Sequence, residues 1–207
     1  MKYSTSIDFG LPLKYIKDMY WQEFGHKLDD PKLYFADKRI LPVVTGFLIT
    51  GKELHWPVES LMSALGLELQ TARLFVTNPN MKLQIHRDCI GGTDKLRQWA
   101  INIPVDNCDL GTNEWFSDDE NNFGEEKYGP GGSARLPEFF DNNYKVSESC
   151  VLNSIKLIRT DVMHRSNNVG NDNRRVVLSL RGTDELTYEQ VAERVNDYNR
   201  RCAENFS

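Results

Sequence analysis

The apolar positions of the chain change period twice. Within residues 11–24, Leu13, Ile16, Met19, Tyr20 and Phe24 recur at helical spacing, and Gly25 just beyond predicts the stop. A second helix is predicted over 57–65, with Pro57 in its first turn and Gly66 as its terminator. Between the two, Ile40, Leu41, Val43, Val44, Phe47, Leu48 and Ile49 form an apolar run broken by Pro42 and Gly46, which fits either element type. From Gln70 onward the period becomes two. Strands are predicted over 72–76, 82–88, 97–105, 114–116, 150–152, 154–158, 161–164 and 175–181. Asn78-Pro79-Asn80, residues 90–94 and the polar stretch 166–173 supply the turns. Thr187 followed by Gln190 is a capping box, and Val191, Val195, Tyr198 and Cys202 then trace one face of an amphipathic closing helix.

Strand alternation gives two segments a polar and an apolar face. Arg175, Val177, Ser179 and Arg181 share one side of their strand, and Val176, Leu178 and Leu180 share the other. Gln84, His86 and Asp88 likewise oppose Leu83 and Ile85. Such strands suit a sheet covered by helices on its outer face and lining a polar pocket on its inner one. Residues 117–149 break the texture, with Asp118-Asp119-Glu120, Glu125-Glu126, Gly129-Pro130-Gly131-Gly132 and Asn142-Asn143. A loop of this length is either a functional lid or a solvated insertion. The acidic triplet lacks calcium-loop spacing and reads as solvated.

Composition narrows the possibilities. A chain of 207 residues with 40% hydrophobic and 27% charged residues is long enough for one domain with a sizeable core. The net charge of -5, without a basic run, makes nucleic acid an unlikely partner. The first residues carry no apolar signal segment and no stretch approaches a membrane span, so a cytoplasmic protein is expected. Cys89, Cys108, Cys150 and Cys202 have no paired spacing and are read as reduced thiols, with Cys89 facing away from Asp88. Trp99, Trp115 and Phe116 are expected in the core, and His26 and His55 are read as structural.

The chemistry-bearing stretch is His86-Arg87-Asp88. Two residues apart on a strand, His86 and Asp88 point the same way, and His164 is the candidate third member. Two imidazoles and one carboxylate on one side of a metal leave positions open for further ligands, as non-haem Fe(II) oxygenases require. A guanidinium in the same pocket suits bidentate capture of a carboxylate. Arg175, eleven residues after His164, shares its face with Ser179 and Arg181, whereas Arg174 points the other way.

The set His86-x-Asp88, His164 and Arg175 resembles the Fe(II)/2-oxoglutarate-dependent oxygenases, over roughly residues 70–182. The flavour is that of the small aspartyl/asparaginyl- or prolyl-hydroxylase-like members, bacterial and phage versions included. The resemblance implies a mainly β fold with flanking helices, built on a double-stranded β-helix (jelly-roll, cupin-like) core. It implies one domain over 1–207, with helices in 11–65 and 187–205 as decoration. His86, Asp88 and His164 would hold Fe(II), and Arg175 would bind the distal carboxylate of 2-oxoglutarate, with Arg174 as competitor for that role. Arg181 and Asn102 would be further pocket residues, and no catalytic residue beyond the metal ligands is implied. With O2, such a dioxygenase hydroxylates a protein side chain, peptide or small molecule and releases succinate and CO2. The alternative is a cupin-type metal-binding barrel with another reaction or a non-catalytic binding role, which has no need of an arginine at position 175.

Overall fold

The computed structural model describes residues 2–10, 13–28, 44–49, 56–91, 93–129, 134–138, 143–183 and 185–205. Its framework is antiparallel β structure. The strands are β1 (Ser4–Ser6), β2 (Val44–Ile49), β3 (Leu69–Thr77), β4 (Arg87–Asp88), β5 (Trp99–Asp106), β6 (Thr112–Phe116), β7 (Lys127–Tyr128), β8 (Ala134–Leu136), β9 (Glu148–Val151), β10 (Lys156–Arg159), β11 (Met163–Asn167) and β12 (Arg175–Gly182). The described helices are α1 (Leu13–Leu28), α2 (Trp56–Ala64) and α3 (Tyr188–Asn205). None of them is long and apolar enough to cross a membrane.

A major sheet has the order β1-β10-β5-β12-β3-β2, and a minor sheet the order β11-β6-β9. Bridges at Lys82–Asn167 and His86–His164 lay the segment 82–88 alongside β11, so it continues the minor sheet. From β3 onward the chain crosses between the sheets: β3 major, 82–88 minor, β5 major, β6 and β9 minor, β10 major, β11 minor, β12 major. This is a double-stranded β-helix with a jelly-roll course. The small sheet β4-β8-β7 is added at the edge carrying Asp88.

The two faces of the major sheet divide as the alternation predicts. Val176, Leu178 and Leu180 of β12, Leu74 and Val76 of β3, and Ile101, Ile103 and Val105 of β5 belong to one buried cluster with Ile16 and Tyr20 of α1, Leu61 and Met62 of α2, and Val191 and Val195 of α3. The helices therefore seal the outer face, and the inner face is left to line a cavity. Pro104 lies in this central strand at the point where pairing with β12 shifts register, Val176 facing Asp106 and Val177 facing Pro104. A residue without an N–H is accommodated where the ladder is already interrupted.

Helix ends follow local chemistry, with one exception. Thr187 and Gln190 make the reciprocal capping bonds: Thr187 N donates to Gln190 Oε1 (2.8 Å) and Gln190 N donates to Thr187 Oγ1 (3.2 Å). Gly66 (φ +62°) ends α2 in a Schellman turn, its N–H bonding Ser63 O (2.9 Å) while Leu67 N bonds Met62 O (2.8 Å). In contrast, α1 runs through Gly25 to Leu28, because glycine inside a helix costs only about 1 kcal/mol and does not by itself terminate one. The ambiguous apolar run resolves at its C-terminal end into the strand β2, and residues 29–43, like His55, lie outside the described residues.

Residues 117–149 are neither a bare loop nor only a solvated insertion. Phe123, tilted against Tyr144 (centroids 4.9 Å apart), packs with Ile85, Phe116 and Met163 on the back of the minor sheet. Asp118 is not merely solvated: it pairs with Arg87 at 2.5 Å, and Glu126 joins at 3.1 Å. Glu120 accepts from Ser147 (2.5 Å) and pairs with Lys145. The described parts of the insertion thus brace the strand that carries His86 and Asp88.

The polar turn over 166–173 is anchored by two buried asparagines, while Val169, Gly170, Asp172 and Asn173 are exposed. Asn168 and Asn171 have no exposed surface. Asn168 Nδ2 donates to Asn78 O (3.0 Å) and Asn173 O (2.9 Å), and Asn171 Nδ2 donates to Asn107 O (3.2 Å) and Asn168 Oδ1 (2.9 Å). These amides lock three turns together at the end of the barrel from which β12 departs. We expect Asn168→Ala to destabilise the fold by roughly 2–4 kcal/mol, because several buried groups lose their partners at once. Urea midpoints of wild type and variant test this, and an unchanged midpoint would mean the network carries no stability.

Candidate functional site

The segment 82–88 does not keep strict alternation. Lys82 faces Asn167 and His86 faces His164, so four steps on one strand match three on the other. One extra residue is therefore bulged out opposite Arg165. The consequence is a change of face: Leu83, expected on the apolar side, lines the cavity with His86 and Asp88, while Gln84, expected beside the two candidate ligands, does not. Ile85 keeps its expected place on the back of the sheet.

The bulge also serves the histidine. His86 Nδ1 lies 2.8 Å from Gln84 O, and His164 Nδ1 lies 2.8 Å from Val162 O. A carbonyl oxygen only accepts, so each Nδ1 carries a proton, which leaves Nε2 as the atom that can present a lone pair to a metal. Both rings are held by the same device, a carbonyl two residues upstream, and their centroids are 4.5 Å apart. One donor atom each from His86, Asp88 and His164 lies within 4.8 Å of the others, and no fourth histidine, cysteine or acid among the described residues joins the group. His86 Nε2 stands 3.6 Å from Asp88 Oδ1.

The electrostatics favour the metal-binding protonation states of His164 and Asp88. Burial pushes the His164 pKa down to about 4, helped by the neighbouring His86 and opposed by Asp88, so its imidazole is neutral at pH 7. Burial by itself raises the Asp88 carboxyl, but Arg181, His164 and His86 outweigh that and hold it below its ordinary value. Arg181 Nη1 lies 2.7 Å from Asp88 Oδ2. One oxygen is thus occupied by a guanidinium, and the other faces the imidazoles. The three residues fit a divalent ion that needs nitrogen and carboxylate donors on one side and open positions on the other.

The cavity behind them holds about 200 Å³ and is lined by both sheets. Arg175 sits in its wall with 2% of its surface exposed. Its Nη2 donates to Asn113 Oδ1 (3.1 Å), and its Nη1 donates to Ser166 Oγ. No described carboxylate pairs with it, Nε has no partner, and burial pulls the guanidinium below its ordinary pKa. Asn113 Nδ2, also buried, is without a partner. The contact is close: a Cβ on Gly111 would stand 2.8 Å from Arg175 Cδ and 3.1 Å from Asn167 O. Glycine is required there so that the arginine stem can lie against the backbone.

The residues expected from sequence mostly converge. His86, Asp88, His164, Arg175, Arg181 and Asn102 all line the one cavity, and Arg174 does not. Trp99, Trp115 and Phe116 are buried in the core and none lines it. Cys89 is buried away from the cavity, and no disulfide joins the four cysteines. Sequence reasoning missed Asn113, Ser166, Gly111 and Arg73. Ser166 was readable, being two residues after His164 on one strand. Asn113 was not, since its position depends on the pairing Asn113–Ser166 between β6 and β11.

No protein-family model and no curated protein matches the chain. Solved structures do. A prolyl-4-hydroxylase from Pseudomonas putida superposes with a TM-score of 0.50 at 13% identity, over 87% of this chain and 93% of that one. The non-haem α-ketoglutarate-dependent carbocyclase SnoK of nogalamycin biosynthesis gives 0.53 at 10% identity, over 87% and 80%. AviO1 from Streptomyces viridochromogenes Tue57 gives 0.52 at 11% identity, over 89% and 91%. At these identities the likeness is one of fold.

The buried neutral His164 has a measurable consequence in the metal-free protein. Its pKa is lower folded than unfolded, so the unfolded chain binds more protons between pH 6.5 and about 4. Stability is complete above that window and falls on acidification. From pH 7.5 to 5 the loss attributable to this group is about 2 kcal/mol. Urea titrations should show His164→Asn losing less stability than wild type over that interval, and parallel curves would contradict the assignment.

Proposed function

We propose that this chain is an Fe(II)- and 2-oxoglutarate-dependent dioxygenase that hydroxylates a protein side chain, peptide or small molecule. The observation that carries the reading is Arg175: a guanidinium with 2% exposure, in the cavity of a His-Asp-His cluster, with no described carboxylate to balance it. A buried charge without an opposite charge is costly, and a dicarboxylic cosubstrate would supply the missing one. A cupin-type barrel with another reaction has no comparable use for it.

In this reading His86 Nε2, His164 Nε2 and a carboxylate oxygen of Asp88 hold the iron. When bound, iron and 2-oxoglutarate supply the oxidising chemistry, consuming O2 and yielding succinate, CO2 and a hydroxylated substrate. The chain's own residues bind and orient. Arg175 takes the distal carboxylate, and Asn113 Nδ2, a buried donor beside it, adds a hydrogen bond. Ser166 and Thr77 hydroxyls, 3.5 Å apart, flank the same end. Arg181 keeps Asp88 ionised and fixes its orientation. Leu83, Phe75 and Val177 give the cavity apolar walls that limit water. Asn102, buried with Oδ1 unpartnered, remains available to a ligand group.

Anaerobic titration of metal-free protein with Fe(II) and 2-oxoglutarate should produce the weak visible charge-transfer band of the chelate, followed by succinate when oxygen is admitted. Iron binding without the band would transfer the reading to the cupin alternative, and no iron binding would remove the metal assignment. We expect His86→Ala and Asp88→Ala to abolish turnover. Arg175→Ala should raise the Kd for 2-oxoglutarate by roughly two orders of magnitude while leaving Fe(II) affinity unchanged. Gly111→Ala should also weaken 2-oxoglutarate binding, because its methyl displaces the Arg175 stem. Wild-type affinity in both variants would exclude Arg175 as the anchor.

A further inference from the structure

We infer that the primary substrate is an anion, and that Arg73 takes its carboxylate or phosphate at the mouth of the cavity. The inference rests on the 2-oxoglutarate reading above and names the substrate class of the same site.

Among the described residues, three guanidinium groups line the cavity against one carboxylate, and these four groups sum to +2. Two of the three have partners in the reading above: Arg181 is paired with Asp88, and Arg175 takes the cosubstrate. Loading does not change the balance, since the 2+ of the iron and the 2− of 2-oxoglutarate cancel. The site that meets the substrate therefore still carries +2, within a chain whose overall charge is -5. The positive potential belongs to the cavity and not to the surface at large, which favours entry of anions and opposes cations.

Arg73 is the remaining charge. It lies on β3 facing inward with Phe75 and Thr77, is exposed at the rim, and no described residue pairs with it. Its neighbours across the sheet add a second observation. Ser179 of β12 is directly opposite Arg73, and Asn102 of β5 is directly opposite Ser179. Asn102 is 8% exposed, lines the cavity, and its Oδ1 has no partner. With strands about 4.8 Å apart, Arg73 and Asn102 stand about 10 Å apart at the backbone, and both side chains reach inward. The row therefore offers a cation, a hydroxyl and a buried acceptor in sequence. It fits a small acid that also carries a hydroxyl or amine: the anion meets Arg73, and the donor meets Asn102.

The test uses full-length protein loaded anaerobically with Mn(II) and 2-oxoglutarate at fixed ionic strength. Acetate and inorganic phosphate serve as probes, read by paramagnetic broadening of the acetate proton and phosphorus resonances. We expect broadening in wild type beyond that of free Mn(II), reduced roughly tenfold in Arg73→Gln and largely restored in Arg73→Lys. The probe more strongly broadened identifies carboxylate or phosphate as the preferred group. Equal broadening in Arg73→Gln, or none in wild type, overturns the inference. The Fe(II)/2-oxoglutarate band is recorded on the same variants and should be unchanged in Arg73→Gln. A normal band with no effect on the probes defeats this inference alone, whereas loss of the band in wild type defeats the dioxygenase reading and this inference with it.

Discussion

The cavity depends on keeping one guanidinium charged and dry. Arg175 is among the largest fully buried side chains of the protein, and burial of an ionised group is the most expensive arrangement in a fold of this size. Several otherwise unrelated features follow from it. Gly111 gives the stem its space, and Asn113 and Ser166 accept from its terminal nitrogens. The buried asparagine turns fix the end of the barrel where β12 begins. None of these supplies a negative charge, and the proposed dicarboxylate would fill that place.

The candidate metal donors show a different economy. Their two imidazoles use backbone carbonyls of their own strands, which costs no additional side chain and settles the tautomer at once. For His86 the geometry comes with a bulge, which also brings Leu83 to the cavity wall. The reverse side of the same strands is where the insertion packs, through Phe123 against Ile85 and Met163, and through Asp118 and Glu126 on Arg87. Arg87, between the two candidate ligands in sequence, therefore couples the outer cover to the inner site. Rigidity at such a site comes from the layer behind the donors as much as from the donors themselves.

The sequence determined much of this because its signals are local and periodic. Alternation along β12 assigned Arg175, Val177, Ser179 and Arg181 to the cavity and their neighbours to the helix-covered core. The spacing of His86 and Asp88, the capping box at Thr187 and the glycine stop at Gly66 likewise depend only on nearby residues. Tertiary structure decided what depends on pairing between distant strands. The bulge that reverses Leu83 and Gln84 exists only against β11, and Asn113 reaches Arg175 only because β6 lies beside β11. The polar turn over 166–173 was legible, but Asn168 and Asn171 are buried within it because Asn78 and Asn107 arrive from elsewhere to accept their hydrogen bonds. Arg73 looks like an ordinary surface charge until β12 and β5 set Ser179 and Asn102 in its row. Period and composition fix which face a residue takes, but the partner it meets there is set by register, and register is a property of the folded sheet.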